Sequence, residues 1–273
     1  MTGTVFLATD YGLDDEFVGV LHAVIARLAP DARVIDLSHN IAPYDVAAGA
    51  ALLARAVPHL GDGVVCAVVD PGVGSTRRGI ALEVASQPRF LVGPDNGLLG
   101  WAADALGGTR NAVELATGSH ASGRTGTFDG RDVFAPAAAR LALGDAIDAL
   151  GAPIDSSSLV ALPEPTAARR SLDDGRVVLT SSVRWIDRFG NVQLSLPGSV
   201  LGGASAAGIA VRGDDALVRV VRSYTELEAG APGLLCDAND AVALVVREGS
   251  AAQHFDVAVG DRVDLVGDFG SLC

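Results

Sequence analysis

The chain has 273 residues, 49% of them hydrophobic, and carries a formal net charge of −13. That apolar content excludes a disordered chain and leaves room for two packed cores. The acidic balance repels phosphate backbones, so nucleic acid is not an expected partner, and a cationic or zwitterionic small substrate is easier to accommodate. All 20 basic residues are arginine, which removes Schiff-base chemistry and a phosphate-loop lysine together.

The N-terminus, MTGTVFLATDYG, has no basic leader and reads as a first strand rather than a signal peptide. No uninterrupted apolar run reaches the roughly 18 residues of a membrane helix, so no membrane partner is expected. DEFVGVLHAVIARLAP then has helical periodicity and stops at a proline, RVIDLSH is a second strand, and DVAAGAALLARAVPHL a second helix. VVCAVVDP, GIALEV and RFLVGP are further strands, and FAPAAARLALGDAIDAL, residues 134–150, a further helix. Nearly unbroken apolar strands alternating with helices predict a mostly parallel α/β sandwich over residues 1–163. Residues 164–176, rich in Pro, charge and small side chains, read as a linker. Short strands separated by turn residues then fill 177–273, which predicts a smaller β-barrel-like domain.

Cys66, Cys236 and Cys273 form no CxxC pair and are odd in number, which fits a reducing, cytoplasmic setting without a disulfide framework. The histidines, His22, His39, His59, His120 and His254, show no HxH or HExxH spacing, so no histidine-built metal site is expected.

Ligands of open α/β sheets bind beyond the carboxyl ends of the strands. Asp10 ends the first strand, where its carboxylate could hold ribose hydroxyls or serve the following turn. Asp14 and Asp15 read as acids at a helix start. Tyr44 could stack on a flat ring or staple the helix that Asp45 caps. In VVDPGVGSTRR, Asp70 ends a strand, and Arg77 or Arg78 can fold back onto it. A carboxylate–arginine pair on a small loop suits orientation of water, whereas GxGxxG and GKS/GKT phosphate loops are absent. TFDGRDVF sets Asp129, Arg131 and Asp132 between Phe128 and Phe134, either as a solvated turn or as one wall of a site. IDRFGNVQ gathers Asp187, Phe189 and Asn191 around a glycine, as a hairpin turn or as groups that meet an ammonium and a base.

Taken in order, TDYG, DLSHNIAPYDV, VVDPGVGSTRR, VGPDNGLL, TFDGRDVFAPAAARLA and IDRFGNVQ resemble the S-adenosylmethionine hydroxide adenosyltransferase family, the adenosine-forming hydrolases related to the fluorinase and chlorinase. The resemblance implies hydrolysis of S-adenosylmethionine to adenosine and methionine, with no cofactor, in a homotrimer whose sites are shared between subunits. It implies that Asp10 holds the ribose, Tyr44 lies along the ligand and Phe128 lines the site. It further implies that Asp187 meets the methionine ammonium, Phe189 and Asn191 the adenine, and Glu248 the adenine edge through its backbone. Asp70 and Arg77 match two of the water-positioning residues. The third departs: the family's TFHGRD is TFDGRD here, with Asp129 in the histidine position. Arg77 is expected to depress the pKa of Asp70, while burial would raise that of Asp129. His120 is a further candidate to replace the missing histidine.

Overall fold

The computed structural model describes residues 3–116, 126–163, 167–211 and 214–269. His120 and Cys273 lie outside them. The chain divides into two compact units, Met1–Leu162 and Pro163–Cys273.

The first unit runs β1 (Thr4–Thr9), α1 (Phe17–Leu28), β2 (Arg33–Ser38), α2 (Val46–Ala56), β3 (Val64–Val68), β4 (Gly79–Val84), β5 (Phe90–Pro94), α3 (Gly100–Ala105), β6 (Thr109–Leu115), α4 (Ala135–Ala142) and β7 (Gly151–Pro153). Its sheet has the order β2-β1-β3-β5-β4-β6-β7. Neighbours among β2, β1, β3 and β5 are parallel. β4 is antiparallel to both β5 and β6, so β6 again runs with the parallel set. The reversal of β4 follows from its connection: residues 85–89 are too few for the crossover of a dozen or so residues that a parallel neighbour needs. Side chains alternate across the sheet. Val5, Leu7, Val64 and Cys66 pack with Leu21 and Ile25 of α1 and Leu141 of α4. Phe6, Ala8, Val65 and Ala67 pack with Leu53 of α2 and Ala102 of α3 on the other face. Each leucine or isoleucine so buried contributes about 2 kcal/mol.

The helix expected over residues 134–150 is shorter. After α4, Gly144 donates to the Leu141 carbonyl at 2.9 Å and Asp145 to that of Arg140 at 3.1 Å. This pairing of N–H groups back across the last turn ends a helix at a left-handed glycine, and Gly144 has φ +97°. A run of alanine carries helical propensity without marking where this stop falls.

The second unit contains β8 (Ala167–Ser171), β9 (Val177–Ile186), β10 (Val192–Pro197), β11 (Ala206–Val211), β12 (Asp214–Val220), β13 (Pro232–Cys236), β14 (Ala241–Val246), α5 (Ala251–His254) and β15 (Arg262–Gly267). The order β10-β14-β13-β12-β11-β15-β9 closes by pairing of β9 with β10. The result is a seven-stranded barrel that leaves no open edge among its members. Leu179, Val183, Leu194, Ile209, Leu234, Leu244 and Leu265 fill it. Residues 167–171, inside the stretch read as a linker, instead form β8, antiparallel to β9 outside the barrel. All five of its residues are exposed, so backbone hydrogen bonds hold it and no apolar alternation betrays it. Among the described residues no helix is long and apolar enough to cross a membrane.

The turn from β9 to β10 depends on Gly190. Its φ is +83°, and a Cβ there would collide with the Ser250 side chain and approach its Cα to 2.9 Å. Gly203 has a similar φ, +88°, but open space around it. Gly190→Ala is therefore expected to lower stability by roughly 1–3 kcal/mol more than Gly203→Ala, the cost of overpacking. Urea denaturation measures both, and equal losses would contradict this account of the turn.

Candidate active site

At the carboxyl ends of β1 and β3 a cavity of about 360 Å³ is lined by Asp10, Tyr11, Phe17, Tyr44, Asp70, Phe128 and Asp129, among others. Its charged floor is a single cluster. Asp70 leaves β3 and accepts the Gly72 N–H at 3.2 Å, which curls the loop Pro71–Arg77 back toward the strand end. Nη2 of Arg77 donates to Asp70 Oδ2 and to Asp129 Oδ2, both at 2.6 Å. Nη1 donates to the Arg78 carbonyl at 3.1 Å. The Phe134 ring lies beneath the guanidinium, 5.3 Å from its carbon. Arg78, the other arginine considered for Asp70, turns instead to Asp95, donating from Nε at 2.8 Å.

The side chains of Arg77, Asp70 and Asp129 are 9%, 5% and 17% exposed. Burial is the largest influence on Asp70 and raises its pKa; the neighbouring charge of Asp129 adds to the rise, and Arg77 opposes both. The depression expected from Arg77 alone is thus overturned, because the guanidinium is shared by two carboxylates and all three groups are shielded from water.

Asp129 is delivered by an unusual turn. Residues Gly130–Phe134 form a π turn, with the Ala135 N–H reaching back to the Gly130 carbonyl. Pro136 has no N–H to offer the next turn of α4, and such widened turns recur at functional sites. Gly130 is required for packing: a Cβ would strike the Tyr11 hydroxyl. Tyr11, Phe17 and Phe128 meet edge to face or tilted, with centroids 5.2 to 5.7 Å apart. Burial, then the charges around it, pushes the Tyr11 hydroxyl far up, so it stays protonated. Arg131 and Asp132 pair with each other at 2.7 Å, and the Arg131 guanidinium lies over the Phe128 ring, 5.2 Å from its centroid.

Asp10 acts on the far wall. Its Oδ2 accepts the Tyr44 N–H at 2.9 Å and so helps hold Tyr44 in the left-handed region, φ 67°. The Tyr44 ring stands 73% exposed beside the cavity. Asp45 then caps α2, accepting the Ala48 N–H at 2.8 Å. Asp14 and Asp15 make no cap; Glu16 holds the cap position of α1 without a side-chain bond.

The remaining candidates gather in the second unit around a cavity of about 620 Å³ lined by Asp187, Phe189, Asn191, Tyr224, Val246, Glu248 and Gly249. Asp187 Oδ1 accepts the N–H groups of Phe189 and Asn191 at 2.8 and 2.9 Å, and Oδ2 accepts Asn191 Nδ2 at 2.8 Å. This carboxylate builds the turn that displays Phe189, which is 73% exposed. Glu248, which lines the cavity, sits at φ 59° in the tight turn that bridges Val246 and Gly249. Sequence reading missed Tyr11, Phe17 and Tyr224. Tyr11 neighbours Asp10 in TDYG and could have been found there; Tyr224 stands alone in SYTEL without a signal.

Comparisons with known proteins agree with this division. Residues 5–151 match the SAM hydroxide adenosyltransferase N-terminal domain and residues 181–264 its C-terminal domain. An (R)-S-adenosyl-L-methionine hydrolase from Salinispora tropica is 46% identical over 96% of this chain and 97% of its own. A hydrolase of the same name from Thermus thermophilus is 37% identical over 96% and 99%. The crystal structure of a conserved protein from Thermotoga maritima superposes with a TM-score of 0.85 at 28% identity, covering 96% of this chain and 99% of the other. The chain belongs to the SAM hydroxide adenosyltransferase family.

Proposed function

We propose that the chain hydrolyses S-adenosyl-L-methionine: water attacks C5′, and adenosine and L-methionine leave. The observation that carries this reading is the Arg77 guanidinium shared by Asp70 and Asp129 in the cavity wall. The oxygen of water bonds to C5′ while the C5′–S pair returns to sulfur. The sulfonium thereby becomes a neutral thioether, which needs no general acid and no cofactor. What the protein supplies is in-line placement and acceptance of the proton that water loses. Asp70 is the acceptor in this reading. Its raised proton affinity makes it a better base than a carboxylate fully neutralised by one arginine. Asp129, in the family's histidine position, works through that charge: by sharing Arg77 it leaves a net negative wall, which attracts a sulfonium and repels a halide.

Asp10 still has an oxygen for ribose hydroxyls, with Tyr44 and Phe128 flanking the sugar. Asp187, Phe189, Asn191 and the Glu248 backbone suit the ammonium and the adenine. These groups line one cavity in each unit; on the strength of the family resemblance, we assign one active site to two chains of a homotrimer, the N-terminal cavity of one and the C-terminal cavity of its neighbour. The described cysteines, Cys66 and Cys236, are free thiols, in keeping with a cytoplasmic enzyme.

Purified protein incubated with S-adenosylmethionine should release adenosine and methionine in equal amounts. Asp70→Asn should slow this by about 100-fold or more, the range for loss of a general base, yet remain folded because Asp129 still compensates Arg77. Turnover near the parent rate in Asp70→Asn would remove Asp70 from the mechanism.

The pH dependence has a defined sign. Activity needs ionised Asp70, whose pKa is raised, so the rate should fall, as pH is lowered, at a higher pH than the ordinary aspartate value of about 3.9 would dictate. Asp129→Asn removes one cause of the rise, and the acid limb should move to lower pH. A limb that stays in place in this variant would show that Asp129 does not act on Asp70.

Shared sites can be tested by co-expressing Asp70→Asn and Asp187→Asn chains. Mixed trimers should regain part of the activity each variant lacks. An inactive mixture that sediments as a mixed oligomer would place both halves of the site in one chain.

A further inference from the structure

Away from the cavity, His22 of α1, Asp36 of β2 and His39 just beyond β2 converge. We propose that His22 Nε2, the Asp36 carboxylate and His39 Nε2 form a binding site for a divalent transition metal of the zinc class. Asp36 Oδ1 lies 2.8 Å from His22 Nε2 and 3.0 Å from His39 Nε2, and one ligand atom from each residue falls within 4.8 Å of the others. Ligands at zinc distances of about 2.0–2.2 Å stand roughly 3.3 Å apart in a tetrahedron, so a small outward shift of the exposed pair admits the ion.

His39 supplies the independent observation. Its side chain is 3% exposed, and Nε2 is buried and makes no properly aligned hydrogen bond, although it faces Asp36. The opposite nitrogen, Nδ1, is 2.8 Å from the Thr9 hydroxyl, and that oxygen accepts the Tyr11 N–H at 3.2 Å. An imidazole fixed at one nitrogen by an outer partner, with the other aimed at a carboxylate and a second imidazole, is the arrangement that orients a metal ligand. His22 and Asp36 are 38% and 41% exposed, which gives the ion access and leaves room for water in a fourth position. Two imidazoles and one carboxylate favour zinc, cobalt or nickel over calcium or magnesium. Sequence spacing hid the cluster, because it joins a helix to a neighbouring strand rather than two positions of one motif. The site also abuts the turn carrying Asp10: the His39 carbonyl accepts the Gly12 N–H at 2.8 Å.

The test uses the full chain without an affinity tag, stripped with EDTA and dialysed. Zinc is titrated by calorimetry and cobalt by visible absorption. One ion per chain should bind at micromolar concentrations, with the intense bands of low-coordinate cobalt. His22→Ala and Asp36→Ala should each weaken binding by roughly tenfold or more, by the measure of lost metal-site partners. His59→Ala, altering an exposed histidine elsewhere, should bind as the parent does. Thermal denaturation verifies that the variants are folded. Absence of saturable binding below millimolar zinc, or equal binding in His22→Ala, would overturn the proposal and leave His22 and Asp36 a surface ion pair.

Discussion

Two carboxylates and one guanidinium sit within hydrogen-bond reach of one another, largely removed from water. Each such charge costs several kcal/mol to desolvate, and only close pairing offsets it. Arg77 can balance one unit of negative charge, not two. The cluster therefore keeps a residual negative charge that solvent screens less than it would at an open surface. Burial first, and then the second carboxylate, explain why Asp70 holds its proton more tightly than its arginine partner alone would allow. The residual charge explains why a cation such as a sulfonium suits the cavity better than an anion. The surrounding structure serves to hold the cluster together: the curled loop after β3, the Phe134 ring beneath the arginine, and the widened turn that carries Asp129.

The two cavities share a device. In each, a carboxylate satisfies backbone N–H groups of a strained or tight turn, and an aromatic ring is displayed as a result. Asp10 does this for left-handed Tyr44, and Asp187 for the turn bearing Phe189. Non-glycine residues at positive φ cost of order 1–3 kcal/mol; of the four among the described residues, Tyr44 and Glu248 stand on cavity walls, while Asp240 and Asp256 line neither cavity. The barrel beneath the second cavity and the doubly covered sheet beneath the first supply the rigidity that sustains such turns.

Much of this was legible in the sequence. Strands buried on both faces read as apolar runs, and the barrel strands as short segments between turn residues. The direction of β4 was not legible, since it depends on a short connection and not on composition. β8 was hidden because an exposed edge strand has no apolar period, and the end of α4 because alanine does not mark a stop. In the site, Asp70 and Arg77 share one loop, so their pairing could be argued from spacing. Asp129 is 52 residues from Arg77, and only the family resemblance brought it near. The sign of the shift at Asp70 needed the third charge and the burial, neither of which the loop alone reveals. The histidine–aspartate cluster required the helix-on-strand packing itself.

The central claim is that the cavity wall directs water to C5′. Turnover of S-adenosylmethionine in water enriched in heavy oxygen tests it most directly, with mass spectrometry of both products. The account predicts label in the 5′-hydroxyl of adenosine and none in methionine. Label in methionine instead, or unlabelled adenosine formed at the full rate, would contradict displacement at C5′ by water.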